Sequence, residues 1–144
     1  MIKVILADHQ ALFRIGMVRV LAEVDDICIV GEPQSADQLL DQLDESNADV
    51  LILSTAFLPA FKEIRRMLQR RQTALLVLAD ESDQAAYTFW LRARGIIYRS
   101  VDAPLFIDAM RRVARGELFI QPYSSDAGKT GTEVAANEQD STRL

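Results

Sequence analysis

The sequence predicts an α/β fold, a doubly wound five-stranded parallel sheet with helices on both faces. Five short apolar runs are continuous instead of alternating with polar residues, which is typical of strands buried on both faces of a parallel sheet. Segments with helical spacing separate the runs, and parallel neighbours need such long crossovers. The runs cover residues 4–7, 27–30, 50–53, 75–79 and 96–98.

Five stretches, one after each predicted strand, repeat apolar side chains at spacings of three and four residues. This spacing predicts a helix with one apolar stripe in each stretch. The stripes comprise Phe13, Gly16, Met17, Val20, Leu21 and Val24; Ala36, Leu39, Leu40 and Leu43; Phe61, Ile64 and Leu68; Ala86, Phe89, Trp90 and Ala93; and Phe106, Ala109, Met110 and Val113. Strand and helix therefore alternate five times.

Size and charge limit the classes of protein that this chain can represent. Its 144 residues suffice for one domain. The formal net charge of -5 makes the chain a poor candidate for binding nucleic acid by itself. The apolar runs are too short for a membrane span, and the single cysteine, Cys28, cannot form an internal disulfide. We therefore expect a cytoplasmic protein, in which Cys28 is a small buried residue of the second strand.

Composition changes towards the C-terminus. Residues 124–143 contain one bulky apolar side chain, Val134, and no aromatic residue. Such a segment cannot bury enough apolar surface to fold. We therefore predict a folded domain over residues 1–121 and a flexible linker or tail over residues 122–144.

Polar residues follow several of the predicted strands, at the edge where a doubly wound sheet carries its sites. They include Asp8 and His9, Ser54 and Thr55, Asp80, and Arg99. A serine, a histidine and an aspartate are the parts of a hydrolytic triad. However, no G-x-S-x-G turn surrounds Ser54. Asp8 and His9 are consecutive and should point to opposite faces of an extended strand. The sequence thus predicts no catalytic residues and no enzyme.

Metal and nucleotide sites are equally unsupported. His9 is the only histidine, so a transition-metal site would depend on carboxylates or Cys28. The run Gly128-Lys129-Thr130 resembles the end of a phosphate-binding loop. However, the glycine that such a loop requires five residues earlier is replaced by Tyr123, and no predicted strand precedes the run. We therefore predict neither a bound metal nor a cofactor.

Several segments resemble the receiver domains of NarL/FixJ (LuxR-type) response regulators, and the resemblance covers about residues 1–121. It rests on residues 2–16 (IKVILADHQALFRIG), 29–32 (IVGE), 48–53 (ADVLIL), 93–100 (ARGIIYRS), 102–104 (DAP) and 109–117 (AMRRVARGE). The resemblance implies a flavodoxin-like fold with strand order 2-1-3-4-5. It also implies a role in two-component signal transduction, or phosphorelay, and in transcription regulation.

The family phosphorylates an aspartate at the end of the third strand and uses a magnesium ion held by an acidic pair. Asp8 matches the first acid, but the second position is His9. The acceptor position falls on Ser54 when counted from Asp49, or on Thr55 when counted back from Pro59; neither is a carboxylate. The hydroxyl position after the fourth strand is Ala79, and the lysine position is Arg99.

These departures form a degenerate phosphorylation site and imply a pseudo-receiver, an atypical response regulator that keeps the fold without the phosphoryl chemistry. We hypothesise that Arg99 reaches across to pair with Asp8 and replaces the charge balance that a metal provides in the family.

The resemblance also implies the partners. In the family, the fourth helix, fifth strand and fifth helix form a surface for dimerisation or docking. The corresponding residues are Tyr87, Trp90, Leu91, Tyr98, Ile107 and Arg111. We therefore expect a homodimer that binds DNA only through a C-terminal helix-turn-helix domain absent from this chain. The alternative is a stand-alone interaction module that docks a kinase or another regulator.

Overall fold

A computed structural model describes residues 1–80, 82 and 93–122. The described strands are β1 (Ile2–Ala7), β2 (Ile27–Gly31), β3 (Val50–Ser54), β4 (Ala74–Ala79), β5 (Gly95–Tyr98) and β6 (Phe119–Ile120). The described helices are α1 (Ala11–Ala22), α2 (Ala36–Glu45), α3 (Phe61–Arg71) and α4 (Ala103–Ala114), with a 3-10 helix at Thr55–Ala60. Neighbouring strands are parallel, in the order β2-β1-β3-β4-β5-β6.

The two faces of the sheet are each covered by a separate apolar core, as a doubly wound fold requires. On one face, buried side chains of α1 and α4, including Met17, Leu21 and Phe106, pack against the sheet. On the other face, α2 and α3 contribute Leu39, Leu43 and Ile64. The central strand β3 is buried along its whole length. The predicted α/β class with a parallel sheet is confirmed.

Two helices begin at residues whose side chains cap free backbone N–H groups. The Ser35 hydroxyl accepts a hydrogen bond from the N–H of Gln38 at the start of α2. The Asp102 carboxylate accepts one from the N–H of Leu105 at the start of α4, where Pro104 also occupies the first turn. Both arrangements satisfy donors that have no partner inside the helix.

Two predictions fall partly outside the described residues. Ala86, Phe89 and Trp90, which belong to the predicted fourth helical stripe, lie there, whereas Ala93 is described and is buried. The predicted linker beyond Pro122 lies outside the described residues as well.

The sheet has six described strands, one more than the sequence predicts. After α4, the chain turns at Gly116, whose φ of 86° lies in the left-handed region that glycine adopts readily. Phe119 then pairs with Gly95, and Ile120 with Ile96, which adds β6 beside β5. Two residues are too few to produce a recognisable hydropathy pattern, so this strand depends on its tertiary neighbour.

The expectation that Cys28 is buried is wrong. β2 lies at the edge of the sheet, and Cys28 and Val30 are exposed while Ile27 is buried. A continuous apolar run therefore does not ensure burial on both faces, because an edge strand has neighbours on one side only.

None of the helices in the described ranges has both the length and the apolar character that crossing a membrane demands.

Candidate functional site

The carboxyl ends of four strands bring polar residues together at one edge of the sheet. Asp8 follows β1, Ser54 ends β3, Asp80 follows β4 and Arg99 follows β5. The backbone N–H of Arg99 donates to the carbonyl oxygen of Ala79 at 3.2 Å, which holds the end of β5 against the end of β4. Parallel pairing thus places residues far apart in the sequence at a common site.

Asp8 and Arg99 form a buried bidentate ion pair, as hypothesised from the sequence. Arg99 Nη1 donates to Asp8 Oδ2 at 3.0 Å, and Nη2 donates to Oδ1 at 2.8 Å. The Asp8 side chain is fully buried, whereas the Arg99 side chain is 14% exposed. The backbone N–H of Gln10 also donates to Asp8 Oδ1, at 3.2 Å. Burial of a carboxylate is costly unless such partners surround it.

The guanidinium of Arg99 has two further contacts. Its Nε donates to Asp80 Oδ1 at 2.9 Å, and its central carbon lies 4.9 Å from the centre of the Phe13 ring, within cation–π range. Burial lowers the pKa of Arg99, but its hydrogen bonds and attraction to Asp8 and Asp80 outweigh that effect and raise the pKa above its ordinary value. Arg99 is therefore a permanent positive charge.

His9 and Ser54 also meet at this edge. His9 Nδ1 lies 3.1 Å from Ser54 Oγ and 3.5 Å from Asp8 Oδ1. The expectation that Asp8 and His9 point to opposite faces is wrong, because β1 ends at Ala7 and strand alternation stops there. In a catalytic triad the base contacts serine and aspartate through different ring nitrogens. Here Nδ1 faces both, so this geometry does not form a proton relay.

The other two predicted positions differ in their surroundings. Thr55 is half-buried and begins the 3-10 helix, while Ser54 is fully buried. Ala79 is fully buried at the end of β4, and its methyl group packs in the core shared with α2 and α3.

The described part of the predicted interaction surface is smaller than the sequence suggests. Tyr98 is only 2% exposed and belongs to the core, so its place on an accessible surface was a wrong prediction. Strand β6 flanks β5, and residues of a central strand are covered on both faces. Ile107 is half-buried, and Arg111 binds Asp26 through two hydrogen bonds. Tyr87, Trp90 and Leu91 lie outside the described residues.

Of two surface clefts, one lies away from the ion-pair network and the other borders it at Phe13. One, of about 410 Å³, opens at the amino ends of β4 and β5 and is lined by residues including Arg65, Arg94 and Gly116. The other, of about 260 Å³, lies between α1 and the start of α4. Leu12 lines this second cleft and is 87% exposed.

Phe13 and Arg14 are site residues that sequence reasoning missed. Phe13 reads as one member of the apolar stripe of α1, yet its ring contacts Arg99. Arg14 Nη1 donates to the backbone carbonyl of Asp8 at 2.8 Å, and its Nε lies 3.5 Å from Glu32 Oε1. Helical periodicity gives no signal for either contact, because both partners come from outside the helix.

Curated relatives of this sequence include response regulators and a transcriptional regulatory protein. DegU of Brevibacillus brevis, named a transcriptional regulatory protein, is 29% identical over 124 residues, which cover 83% of this chain and 52% of DegU. The response regulator GacA of Pseudomonas syringae is 28% identical over 127 residues, covering 85% and 59% respectively. The chain therefore spans between half and three fifths of these relatives. No protein-family model matches it.

Solved structures with the same fold are receiver domains and larger regulators. The signal receiver domain of the response regulator NarL from Mycobacterium tuberculosis superimposes with a TM-score of 0.71 at 21% identity, covering 81% of this chain and 98% of that domain. A structure of two RcsB dimers bound to two parallel DNAs gives a TM-score of 0.72 at 21% identity, covering 83% of this chain and 63% of RcsB.

Fold, site position and sequence similarity agree. The chain has the flavodoxin-like fold of receiver domains, and it is related to response regulators of the NarL/LuxR type.

Proposed function

We propose that this chain is the receiver-like regulatory domain of a transcription regulator, and that it acts without phosphorylation of an aspartate. The observation that carries this proposal is the end of β3, where Ser54 and Thr55 stand and no carboxylate is present. An acyl phosphate forms on a carboxylate, whereas a hydroxyl yields a phosphate ester of different reactivity. The domain then works as a binding module and not as an enzyme.

The strand register supports Ser54 as the residue at the acceptor position. Ala7 pairs with Leu53, so that Ser54 stands level with Asp8 at the strand ends. Its Oγ faces His9 Nδ1 at 3.1 Å. Thr55 lies one residue further on, in the 3-10 helix.

We propose that DNA contacts belong to a further C-terminal domain and that residues 122–144 lead to it. The net charge of -5 disfavours DNA binding by this chain alone. The relatives are roughly 1.7 to 1.9 times as long as the segment that this chain matches, and one of them is named a transcriptional regulatory protein. A cytoplasmic location fits this role.

Self-association is part of the proposal. RcsB, which shares the fold, binds DNA as dimers, and dimers with two-fold symmetry are the commonest protein assemblies. The proposed surface consists of Tyr87, Trp90 and Leu91, from the helix predicted between β4 and β5, together with Ile107 and Arg111 of α4. Tyr98 is excluded from it because the ring is buried.

The experiment uses the full-length native protein with acetyl phosphate and Mg²⁺, and a relative that carries the aspartate as the control. Intact-protein mass spectrometry measures phosphorylation, and a gel-shift titration measures DNA affinity. We expect the control to gain a hydroxylamine-labile phosphoryl group. We expect the native protein to gain none and to bind DNA with the same affinity with or without the donor.

Two results would contradict the proposal in different ways. A hydroxylamine-labile phosphoryl group accompanied by tighter DNA binding would restore the conventional mechanism. A native protein that ends without a DNA-binding domain, and that co-purifies with a kinase or another regulator, would favour the stand-alone interaction module.

A further inference from the structure

We propose that the guanidinium of Arg99 is the resident cation of this crevice, and that it excludes the divalent cation that the resemblance implies. This inference rests on the proposed function, since a domain that does not transfer a phosphoryl group has no need of a metal. The further step is that Arg99 is the residue that keeps the metal out. Metal binding can be measured independently of phosphorylation, so the two proposals can fail separately.

The oxygen atoms of Asp8 are already engaged. Oδ1 accepts from Arg99 Nη2 and from the N–H of Gln10, and Oδ2 accepts from Arg99 Nη1. Its backbone carbonyl accepts from Arg14 at 2.8 Å. A magnesium ion binds carboxylate oxygens at about 2.0–2.1 Å and retains several waters. Ligation by Asp8 would require Arg99 to leave a fully buried carboxylate.

The second acidic position does not compensate. It holds His9, and Mg²⁺ prefers carboxylate and water oxygens to imidazole. Within residues 1–80, 82 and 93–122, no cluster of three or more His, Cys, Asp and Glu side chains is arranged to hold a metal ion. The cation of the family could therefore be held only if the carboxylate oxygens of Asp8 were released from Arg99.

Arg99 also fixes the strand ends that meet at the crevice. Its contacts with Asp8, Asp80 and Phe13 connect the ends of β1, β4 and β5 with the first turn of α1. Because Arg99 is part of the protein, its positive charge is present at every Mg²⁺ concentration. The domain should therefore be insensitive to Mg²⁺.

The experiment measures the thermal midpoint, Tm, with and without about 10 mM MgCl₂, and follows Mg²⁺ binding by calorimetry. The variants are Arg99→Met, the double variant Asp8→Asn/Arg99→Met, and Arg111→Met as a control. Arg111 makes a similar two-bond pair with Asp26, but on the exposed surface. A parallel measurement in NaCl of the same ionic strength corrects for the general screening of charges by salt.

We expect no Mg²⁺-dependent shift for the wild type or for Arg111→Met. In Arg99→Met the oxygens of Asp8 lose two donors, so Mg²⁺ should raise Tm by about 3 °C. The shift should disappear in the double variant. Equal shifts in the wild type and Arg99→Met would overturn the inference, and so would the absence of a shift in Arg99→Met.

Arg99→Lys provides a second variant if Arg99→Met does not fold. A lysine ammonium is a point charge and cannot reproduce the two-bond fork, so a smaller Mg²⁺-dependent rise is expected, and its absence would count against the inference. Phosphorylation of the wild type by acetyl phosphate would contradict the proposed function. Mg²⁺ binding without phosphorylation would contradict only the role assigned to Arg99.

Discussion

At the scale of single residues, the stability of the site depends on Asp8, whose fully buried carboxylate lies at the end of β1. Asp8 is stabilised by two hydrogen bonds from Arg99 and one from the backbone of Gln10. Removing one partner of such a pair leaves an uncompensated buried charge, which costs far more than the intact pair contributes. The pair is therefore sensitive to single substitutions and more tolerant of a double one.

We predict a large coupling energy between Asp8 and Arg99. Arg99→Met should lower the free energy of unfolding by about 3 kcal/mol, and adding Asp8→Asn to it should recover about half of that loss. A double-mutant cycle by urea unfolding measures both quantities.

The Asp26–Arg111 pair is the matched control for this cycle, because its side chains are 48% and 42% exposed. Its coupling energy should be below about 1 kcal/mol, as for other surface ion pairs. Equal coupling energies in the two cycles would show that burial of Asp8 does not strengthen its interaction with Arg99.

At the scale of elements, a buried glycine and an exposed glycine have opposite roles. Gly95 begins β5, where a Cβ atom would lie 2.8 Å from the carbonyl oxygen of Phe119 in β6 and 2.8 Å from Leu76 Cδ1. Gly16 lies in the middle of α1 and a Cβ atom there would have no neighbour within 4 Å. The first glycine permits close strand packing, whereas the second has no packing role in the described structure.

Alanine substitutions should therefore change stability in opposite directions. Gly95→Ala should destabilise the domain by about 1–3 kcal/mol, since backbone must move to relieve the contact with β6. Gly16→Ala should stabilise it by up to about 1 kcal/mol through helix propensity. Chemical denaturation of both variants checks the signs, and a stable Gly95→Ala protein would argue against the pairing of β5 with β6.

At the scale of the whole molecule, the short strand β6 completes the sheet. The backbone N–H of Gln121 donates to the carbonyl of Ile96 at 3.0 Å, and its side-chain oxygen accepts from the N–H of Tyr98 at 2.8 Å. The amide side chain thus continues the ladder one step beyond the strand. Without these groups, the outer edge of β5 would present unpaired backbone groups.

We predict that a chain ending at Pro122 unfolds at the same Tm as the 144-residue chain, because the ladder on β5 is complete at Gln121. A chain ending at Glu117 should be less stable, since it loses β6 and the Gln121 contacts. Thermal unfolding by circular dichroism compares the three proteins. A large loss of stability on removal of residues 123–144 would place the domain boundary beyond residue 121.

Hydropathy alone determined the class of the fold. The continuous runs and the helical stripes predict the parallel sheet and its covering helices, because each pattern records how many sides of an element are buried. The same reasoning failed for Cys28, since a run of apolar residues does not indicate whether a strand lies at the centre or the edge. It also missed β6, which is too short to have a pattern and exists through its pairing with β5.

The sequence by itself also determined which chemical groups follow the strands, namely an aspartate, a histidine, a serine and an arginine. The pairing of Asp8 with Arg99 was expected from the resemblance, but only the tertiary structure decided its two-bond geometry. The contact of Arg99 with Phe13 and the burial of Tyr98 also depend on segments distant in the chain. Side-chain distances of a few ångströms depend on strand register and loop geometry, which local sequence patterns do not encode.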